Sequence, residues 1–292
     1  MLKTLRNALK IQDIRKRLIF TLLMLVVVRL GSCIPTPGVQ RGVLENFFSN
    51  LSGSSGALDL FSALTGGSFE NMSIFALSIT PYITASIIMQ LLTIAIPKLE
   101  EMQKEGEDGR KKIREITRYV NIGLSIFEGL ALGISFARGG SLDYNNAFGV
   151  IVTVISLTAG SAFLMWIGEQ ITDRGVGNGI SIVLLVNILS RLPQDIGNLY
   201  VQFIESATNI VTAGLAALII LAVIVLTVVF VVYLQQAERR IPVQYSKKVV
   251  GRKTFGGQSS HIPLKVNTAG VIPVIFASSL MGIPGMIVAL VG

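Results

Sequence analysis

The chain has 292 residues, of which 51% are hydrophobic and only 14% are charged. Soluble globular domains carry about 25% charged residues, so this composition excludes an ordinary soluble protein and indicates an integral membrane protein. The single cysteine, Cys33, excludes an internal disulfide. The lone histidine, His261, lies in a basic polar stretch with no neighbour in sequence that would complete a site. We therefore expect no metal, no cofactor, no catalytic residues and no enzymatic activity.

Seven apolar stretches predict membrane-spanning helices, since about 20 residues of helix are needed to cross a bilayer. They cover approximately residues 18–34, 73–95, 118–137, 148–167, 180–193, 210–234 and 269–291. The predicted fold class is therefore an all-α, polytopic helical bundle. We divide it into a cytoplasmic amphipathic N-terminus (1–17), a first bundle of spans one to five (18–193) and the start of a second bundle (194–292).

The basic residues are distributed very unequally between the two sides of the membrane. Of the 25 Lys and Arg residues, 21 lie in the N-terminal segment or in connections on its side. The other side has only Arg41, Arg138 and Arg191. Cytoplasmic loops carry the excess of Lys and Arg in membrane proteins. The N-terminus is therefore predicted to be cytoplasmic.

A short apolar segment precedes the second predicted span. Residues 57–64 are too few to cross a bilayer, and glycines flank them at Gly53, Gly56, Gly66 and Gly67. Non-helical backbone at membrane depth is tolerated only when it is buried in protein or lines a watery cavity. The residues alone leave two alternatives open: a helix on the outer membrane surface, or a re-entrant helix that fills a cavity.

The second predicted span, residues 73–95, has Pro81 in its middle. A proline inside a helix removes one hydrogen bond, so the carbonyl of Leu77 is expected to lack its helical partner. Ile79, Ile83 and Ile87 follow each other at intervals of four residues and share one helix face. We expect a helix that is weakened at its centre and that shows an apolar row to its surroundings.

Only two ionisable residues are predicted to lie well inside spans. Arg29 is near the outer end of the first span, where its side chain can reach the headgroups, and a buried ion pair is the alternative. Glu128 lies midway along the third span, as a hydrogen-bonded or snorkelling carboxylate or as a proton relay. Broken helices also occur in secondary transporters, which are the alternative function, but so little intramembrane charge disfavours that class.

Three connections on the cytoplasmic side differ in character. The glycine-rich turn at 168–181 follows a span rather than a strand, so we interpret it as a connector and not as a phosphate-binding loop. The loop 97–117 is basic, and basic juxtamembrane runs commonly bind anionic lipid. The loop 235–268 alternates apolar and charged residues and predicts a protruding, hairpin-like finger. Arg252 and Lys253 near its tip suit a polyanionic partner such as ribosomal RNA.

Several long stretches give the sequence a family resemblance. They are "IPTPGV", "GALDLFSALTGGSFENMSIFALSITPYITASIIMQLL", "KEGEDGRKKI", "GEQITDRGVGNGIS", "AERRIPVQYSKK" and "HIPLKVNTAGVIPVIFASSL". In this order they resemble the bacterial SecY family, the channel subunit of the Sec protein translocon. That family has ten spans in two pseudo-symmetric halves. This chain has seven, so we expect the sequence to be a fragment.

The resemblance implies three sets of site residues. An apolar ring that constricts the pore corresponds to Ile79, Ile83, Ile180, Leu184 and Ile275. The plug, a re-entrant helix, corresponds to residues 57–67, with Ala57, Leu58, Asp59, Leu60, Phe61, Ser62, Ala63 and Leu64 as its central residues. The lateral gate between the second and seventh spans corresponds to Ser78, Pro81, Thr84, Gln90, Asn267, Thr268 and Pro273. Apolar constrictions close pores by excluding water, which agrees with the isoleucine row.

The resemblance also implies partners and a location. The expected function is translocation of unfolded secretory proteins across the bacterial plasma (inner) membrane and lateral release of membrane segments. Expected partners are the SecE and SecG subunits, the SecA ATPase, the ribosome, signal peptides, translocating chains and membrane lipids. Contacts with the ribosome and SecA are expected at Arg110, Lys111, Arg239, Arg240, Lys247, Lys248, Arg252 and Lys253.

Overall fold

The computed structural model describes residues 11–39, 65–140, 142, 147–205, 210–243, 248–250, 253–255, 260–268, 270, 273 and 277. The chain divides into two compact units. The first comprises Met1–Pro193 and Val274–Gly292, and the second comprises Gln194–Pro273. The two units are considered separately below, and the predicted division into three segments stays a prediction.

Helices build the first unit. In chain order they are α1 (Gln12–Cys33), α2 (Thr80–Ala95), α3 (Pro97–Lys104), α4 (Glu107–Arg138), α5 (Ala147–Arg174) and α6 (Gly179–Tyr200), the last of which runs on into the second unit. Helix α4 packs along α5 and against α2, and α1 also packs on α5. The predicted all-α membrane class is confirmed. The predicted third, fourth and fifth spans correspond to α4, α5 and α6 and were too short, because each helix continues beyond its apolar stretch. Helix α4 begins more than two turns earlier, in polar residues.

Two apolar cores hold this unit together, and residues 65–79 contribute to both. The first core joins α1, α2, α5 and α6 around Phe75, Ile79 and Leu164. The second core joins α4 and α5 around Met72, Leu77 and further apolar side chains. Residues 65–79 are almost entirely outside regular helix, yet most of their side chains are buried. Irregular backbone at this depth requires such burial in protein.

The prediction that Pro81 breaks the middle of the second span is wrong. Helix α2 begins at Thr80, and Pro81 lies in its first turn. The first helical positions have no intrahelical acceptor for their N–H groups, so proline costs nothing there and its fixed φ favours the helix start. The expected loss of a hydrogen bond at Leu77 is wrong for the same reason, since Leu77 precedes the helix. The chain enters α2 through a turn instead of continuing as one long span.

Length and composition identify several of the described helices as candidate membrane spans. Four helices in the described part of the chain are long and apolar enough to cross a membrane, or five if α2 and α3 form one span bent by 102°. Pro97 begins α3 at this bend. Helix α1 is not among them, because Lys16, Arg17 and Arg29 interrupt its apolar stretch. Most of the predicted seventh span lies outside the described residues.

The second unit contains a π-helical turn (Val201–Glu205), helix α7 (Ile210–Gln236) and four short strands. These are β1 (Glu238–Val243), β2 (Lys248–Val250), β3 (Lys253–Phe255) and β4 (Ser260–Lys265). Strand β1 pairs antiparallel with β4, from Glu238 opposite Lys265 to Val243 opposite Ser260. Strand β2 pairs antiparallel with β3. Two nested strand pairs therefore occupy the loop that was predicted to be hairpin-like.

Candidate functional site

Residues 65–79, which we call the entry segment, form the centre of the candidate site. The backbone N–H of Thr36 donates to the carbonyl of Met72 at 2.8 Å, and that of Ile74 donates to the carbonyl of Ile34 at 3.0 Å. Helix α5 approaches the segment so closely that a Cβ on Gly160 would collide with the carbonyl oxygen of Ile74. The segment is thereby fixed between the end of α1 and the middle of α5.

A buried polar cluster fixes the end of the entry segment. The side-chain amide of Asn187 on α6 donates to the hydroxyl oxygen of Ser78 at 3.2 Å. Arg29 on α1 donates to the carbonyl of Val186 at 2.6 Å and to the amide oxygen of Asn187 at 3.3 Å. Among the described residues Arg29 forms hydrogen bonds to α6 and no ion pair. One of its guanidinium nitrogens thus connects α1 to α6.

A second contact between α6 and the entry segment lies one helical turn further along. The guanidinium of Arg191 lies 2.7 Å from the carboxylate of Glu70. Near the start of the segment, a Cβ on Gly66 would lie 2.6 Å from the carbonyl oxygen of Asn187, so only glycine fits there without a shift. Asn187 and Arg191 are four residues apart and share a helix face. The segment thus lies along one face of α6.

The sequence did not identify Asn187, Glu70 and Arg191 as members of the candidate site. The available signal for Asn187 was a polar amide inside the apolar stretch 180–193, together with Arg29 in the first span. Polar side chains within membrane helices hydrogen-bond across helices because hydrocarbon offers no alternative partner. Nothing in the sequence indicated that Arg29 and Asn187 contact each other.

The structure brings three of the predicted ring residues into one cluster. Ile79 is completely buried in the first core, and Ile83 and Ile180 pack against that core while remaining partly accessible. Leu184 on α6 is half-buried. Ile275 lies outside the described residues. The assignment of these residues to a pore ring stays a prediction.

The predicted gate residues fall into two groups. On the second span, Ser78, Pro81 and Thr84 are buried, whereas Gln90 is exposed. The hydroxyl of Thr84 donates to the carbonyl of Thr80 at 3.1 Å, within its own helix. In the second unit, Asn267, Thr268 and Pro273 are exposed. The backbone N–H of Gly270 donates to the side-chain oxygen of Asn267 at 3.0 Å.

Helices α2, α3 and α4 line an open pocket of about 480 Å³ with a mixed polar and apolar wall. Tyr82 and Gln90 line it from α2, and Arg110 and Arg114 line it from α4. Arg110 was predicted to contact the ribosome or SecA. Its predicted neighbour Lys111 is exposed and lies 3.6 Å from the carboxylate of Asp108.

The remaining predicted contact residues belong to the finger. Arg239 and Arg240 lie on β1 and are exposed, opposite Leu264 and Pro263 on β4. Lys248 and Lys253 are backbone members of β2 and β3. Lys247 and Arg252 lie outside the described residues. Of the predicted plug, 57–67, residues 57–64 also lie outside them, and residues 65–67 form the start of the entry segment. The choice between a surface helix and a re-entrant helix is unaffected.

Helices α4 and α5 share a row of polar contacts. Arg118 and Glu169 form an ion pair at 2.8 Å, and the hydroxyl of Ser125 donates to that of Ser161 at 3.1 Å. Further along, one carboxylate oxygen of Glu128 is buried without a hydrogen-bond partner among the described residues. None of the described residues form a group of acidic, histidine or cysteine side chains that could hold a metal ion.

Apolar membrane-length helices around a buried irregular segment define the chain as a polytopic α-helical membrane protein. The family model that matches it is SecY, over residues 73–291. Curated relatives are the protein translocase subunits SecY of Streptomyces scabiei, Halalkalibacterium halodurans and Bacillus subtilis. They are 43%, 47% and 44% identical, and each alignment covers 100% of this chain and 68% of the relative. The chain belongs to the SecY family, as the resemblance predicted.

Solved structures show the same fold. A protein-conducting channel aligns with a TM-score of 0.62 at 20% identity, covering 94% of this chain and 58% of the channel. Sec61 in a canine ribosome-channel complex from the endoplasmic reticulum aligns with a TM-score of 0.60 at 19% identity, with the same coverage. The chain therefore spans about two thirds of the curated relatives and less than two thirds of these structures.

Proposed function

We propose that the chain forms the greater part of a protein-conducting channel in the bacterial plasma membrane. Unfolded secretory chains would cross the membrane through it, and apolar segments would leave it sideways into the lipid. The observation that carries this proposal is identity of 43–47% to translocase subunits along the whole chain. The secondary transporter is not favoured, because the intramembrane Arg29 is bound within the protein.

The proposed constriction is built from the accessible edges of the first core. Ile83 and Ile180 belong to α2 and α6, pack against the same buried side chains and remain partly accessible. A ring of such side chains excludes water from a narrow pore and binds a passing peptide weakly. Ile79, which is completely buried, would support the ring from behind in this arrangement rather than face the pore directly.

Crosslinking to an arrested client tests the proposal. A photoreactive amino acid is placed at Ile83 or Ile180 in the full-length channel, and at Leu22 as a control. Leu22 lies on α1 with 59% of its surface exposed and outside both cores. We expect adducts with an arrested translocating chain from Ile83 and Ile180, and none from Leu22. Adducts from Leu22 alone, or from no position in an actively translocating preparation, would contradict the proposed pore.

The finger and the first turns of α4, with Arg110 and Lys111, are the proposed contacts for the ribosome and the SecA ATPase. Arg239 and Arg240 are exposed on a paired strand, so their charges are presented by backbone that is already ordered. Phosphate groups attract Lys and Arg, and each contact releases counterions. We further propose that SecE and SecG assemble with the chain and that the N-terminus is cytoplasmic, in agreement with the distribution of basic residues.

Charge reversal tests the finger. In the full-length channel, Arg239→Glu with Arg240→Glu should weaken ribosome binding at low salt. The slope of log Kd against log salt should also become shallower, because fewer counterions are released. Arg15→Glu with Lys16→Glu is the matched control, since both residues are exposed and predicted to be cytoplasmic but lie outside the finger. Equal effects of the control pair and of the finger pair would indicate general attraction to a basic surface instead of docking.

A further inference from the structure

The side-chain amide of Asn187 is buried, and both its nitrogen and its oxygen are hydrogen-bonded. It donates to Ser78 at 3.2 Å and accepts from Arg29 at 3.3 Å. The exposed fractions of Asn187 and Ser78 are 2% and 1%. Arg29 is in addition bound to the carbonyl of Val186. One side chain on α6 therefore connects α1 with the segment that leads into α2.

Ser78 occupies the point at which the chain turns into α2. Its φ is +53°, in the left-handed region that residues other than glycine rarely adopt. Helix α2 begins two residues later, and its N-cap position, Ile79, makes no side-chain capping bond. The conformation at Ser78 sets the direction of α2, and the surrounding contacts must maintain it. The hydrogen bond from Asn187 acts directly on that residue.

The other contacts between α6 and the entry segment maintain the same arrangement. Gly66 packs directly against the carbonyl of Asn187. Arg191, one helical turn after Asn187, forms an ion pair with Glu70. All of these contacts are made by one short stretch of α6, and all involve the segment that precedes the proposed gate helix. A movement of α2 away from α6 that carries the entry segment along would break them together.

We infer that Asn187 is a positioning residue that holds the start of α2 in the resting arrangement of the channel, by its hydrogen bond to Ser78. This inference rests on the proposed function. Contacts made in only one of two conformations shift the equilibrium between them. Loss of one buried hydrogen bond from the resting state should raise the open fraction of the resting channel about tenfold.

The test uses the full-length channel in planar bilayers. Asn187→Leu removes the amide and keeps a similar volume, and it should raise the resting ion conductance about tenfold. It should also reduce the dependence on a functional signal sequence. Asn121→Leu is the matched control, because Asn121 is also a fully buried amide in a span but bonds Met165 and not the entry segment. Both variants lose a buried amide, so a merely structural role would give them equal conductance.

A second variant isolates the hydrogen bond from the packing of α6. Ser78→Ala removes the hydroxyl but keeps the Cβ, so the left-handed backbone stays as strained as in the parent and only the hydrogen bond is lost. This smaller change is expected to fold if Asn187→Leu does not accumulate. It should raise resting conductance to the same level, and the double variant should add nothing further. Parental conductance in folded Ser78→Ala, or equal conductance in the Asn187 and Asn121 variants, would overturn the inference. If the parent channel shows no opening by signal peptide, the proposed function fails instead.

Discussion

Replacing Gly160 by alanine should push helix α5 away from the entry segment. A Cβ at this position would collide with the carbonyl oxygen of Ile74 and lie 2.8 Å from its carbonyl carbon, whereas ordinary contacts begin at 3.4 Å. Backbone must therefore move, since the nearest atoms do not belong to a flexible side chain. Such overpacking costs about 1–3 kcal/mol of unfolding free energy. Gly123 on α4 is the control, because nothing lies within 4 Å of a Cβ placed there.

The two substitutions should differ in their effect on stability. Alanine at a helical position gains up to about 1 kcal/mol relative to glycine. Because both glycines lie inside helices, this gain applies to both variants and cancels, so Gly160→Ala should be about 1–3 kcal/mol less stable than Gly123→Ala. The measurement is unfolding by SDS from mixed micelles, followed by tryptophan emission. The single tryptophan of the sequence, Trp166, suits this purpose. It stacks on Phe163 at 5.8 Å, and Phe163 stacks on Phe75 of the entry segment at 6.1 Å.

Both the stability and the emission should respond to Gly160→Ala. Displacement of the entry segment alters the stacking of Phe75 on Phe163 and hence the environment of Trp166. Gly123→Ala should leave the emission unchanged, because α4 is open at that point. A Gly160→Ala protein as stable as Gly123→Ala, with parental emission, would refute the close approach of α5 to Ile74 and the packing argument built on it.

Three further predictions concern the ends of the helices and the loops. Glu169→Gln should lower the unfolding free energy by at most about 1 kcal/mol, because its partner Arg118 is 46% exposed to solvent. The loss should be smaller at high salt, and thermal unfolding at two salt concentrations measures it. Reporter fusions after Arg110 should report the cytoplasm and those after Asp195 the outside, and the reverse result would end the topology. Deleting residues 57–64 from the full-length channel should leave a folded protein with raised resting ion leakage, whereas unchanged leakage at normal expression would favour a helix on the membrane surface.

The sequence by itself determined the class, the family and the general order of the helices. Apolar composition is a local property, so the approximate positions of the described membrane helices could be read from their own residues. The motifs that carry the family resemblance are also contiguous, and the matching relatives confirmed them along the whole chain. Helix ends were less accurate, as at α4, because a helix continues into polar residues that carry no hydrophobic signal.

Only the tertiary structure decided where α2 begins and what holds it. The sequence predicted a break at Pro81, but the turn lies before it, at Ser78. Asn187 and Ser78 are separated by 109 positions, and Arg29 and Asn187 by 158. Their meeting depends on how three segments pack, and no single stretch encodes it. A buried polar group in a membrane must find its hydrogen-bond partner among the groups packed against it, because neither lipid nor water offers one there. The packing of the helices therefore determines which residues are bonded.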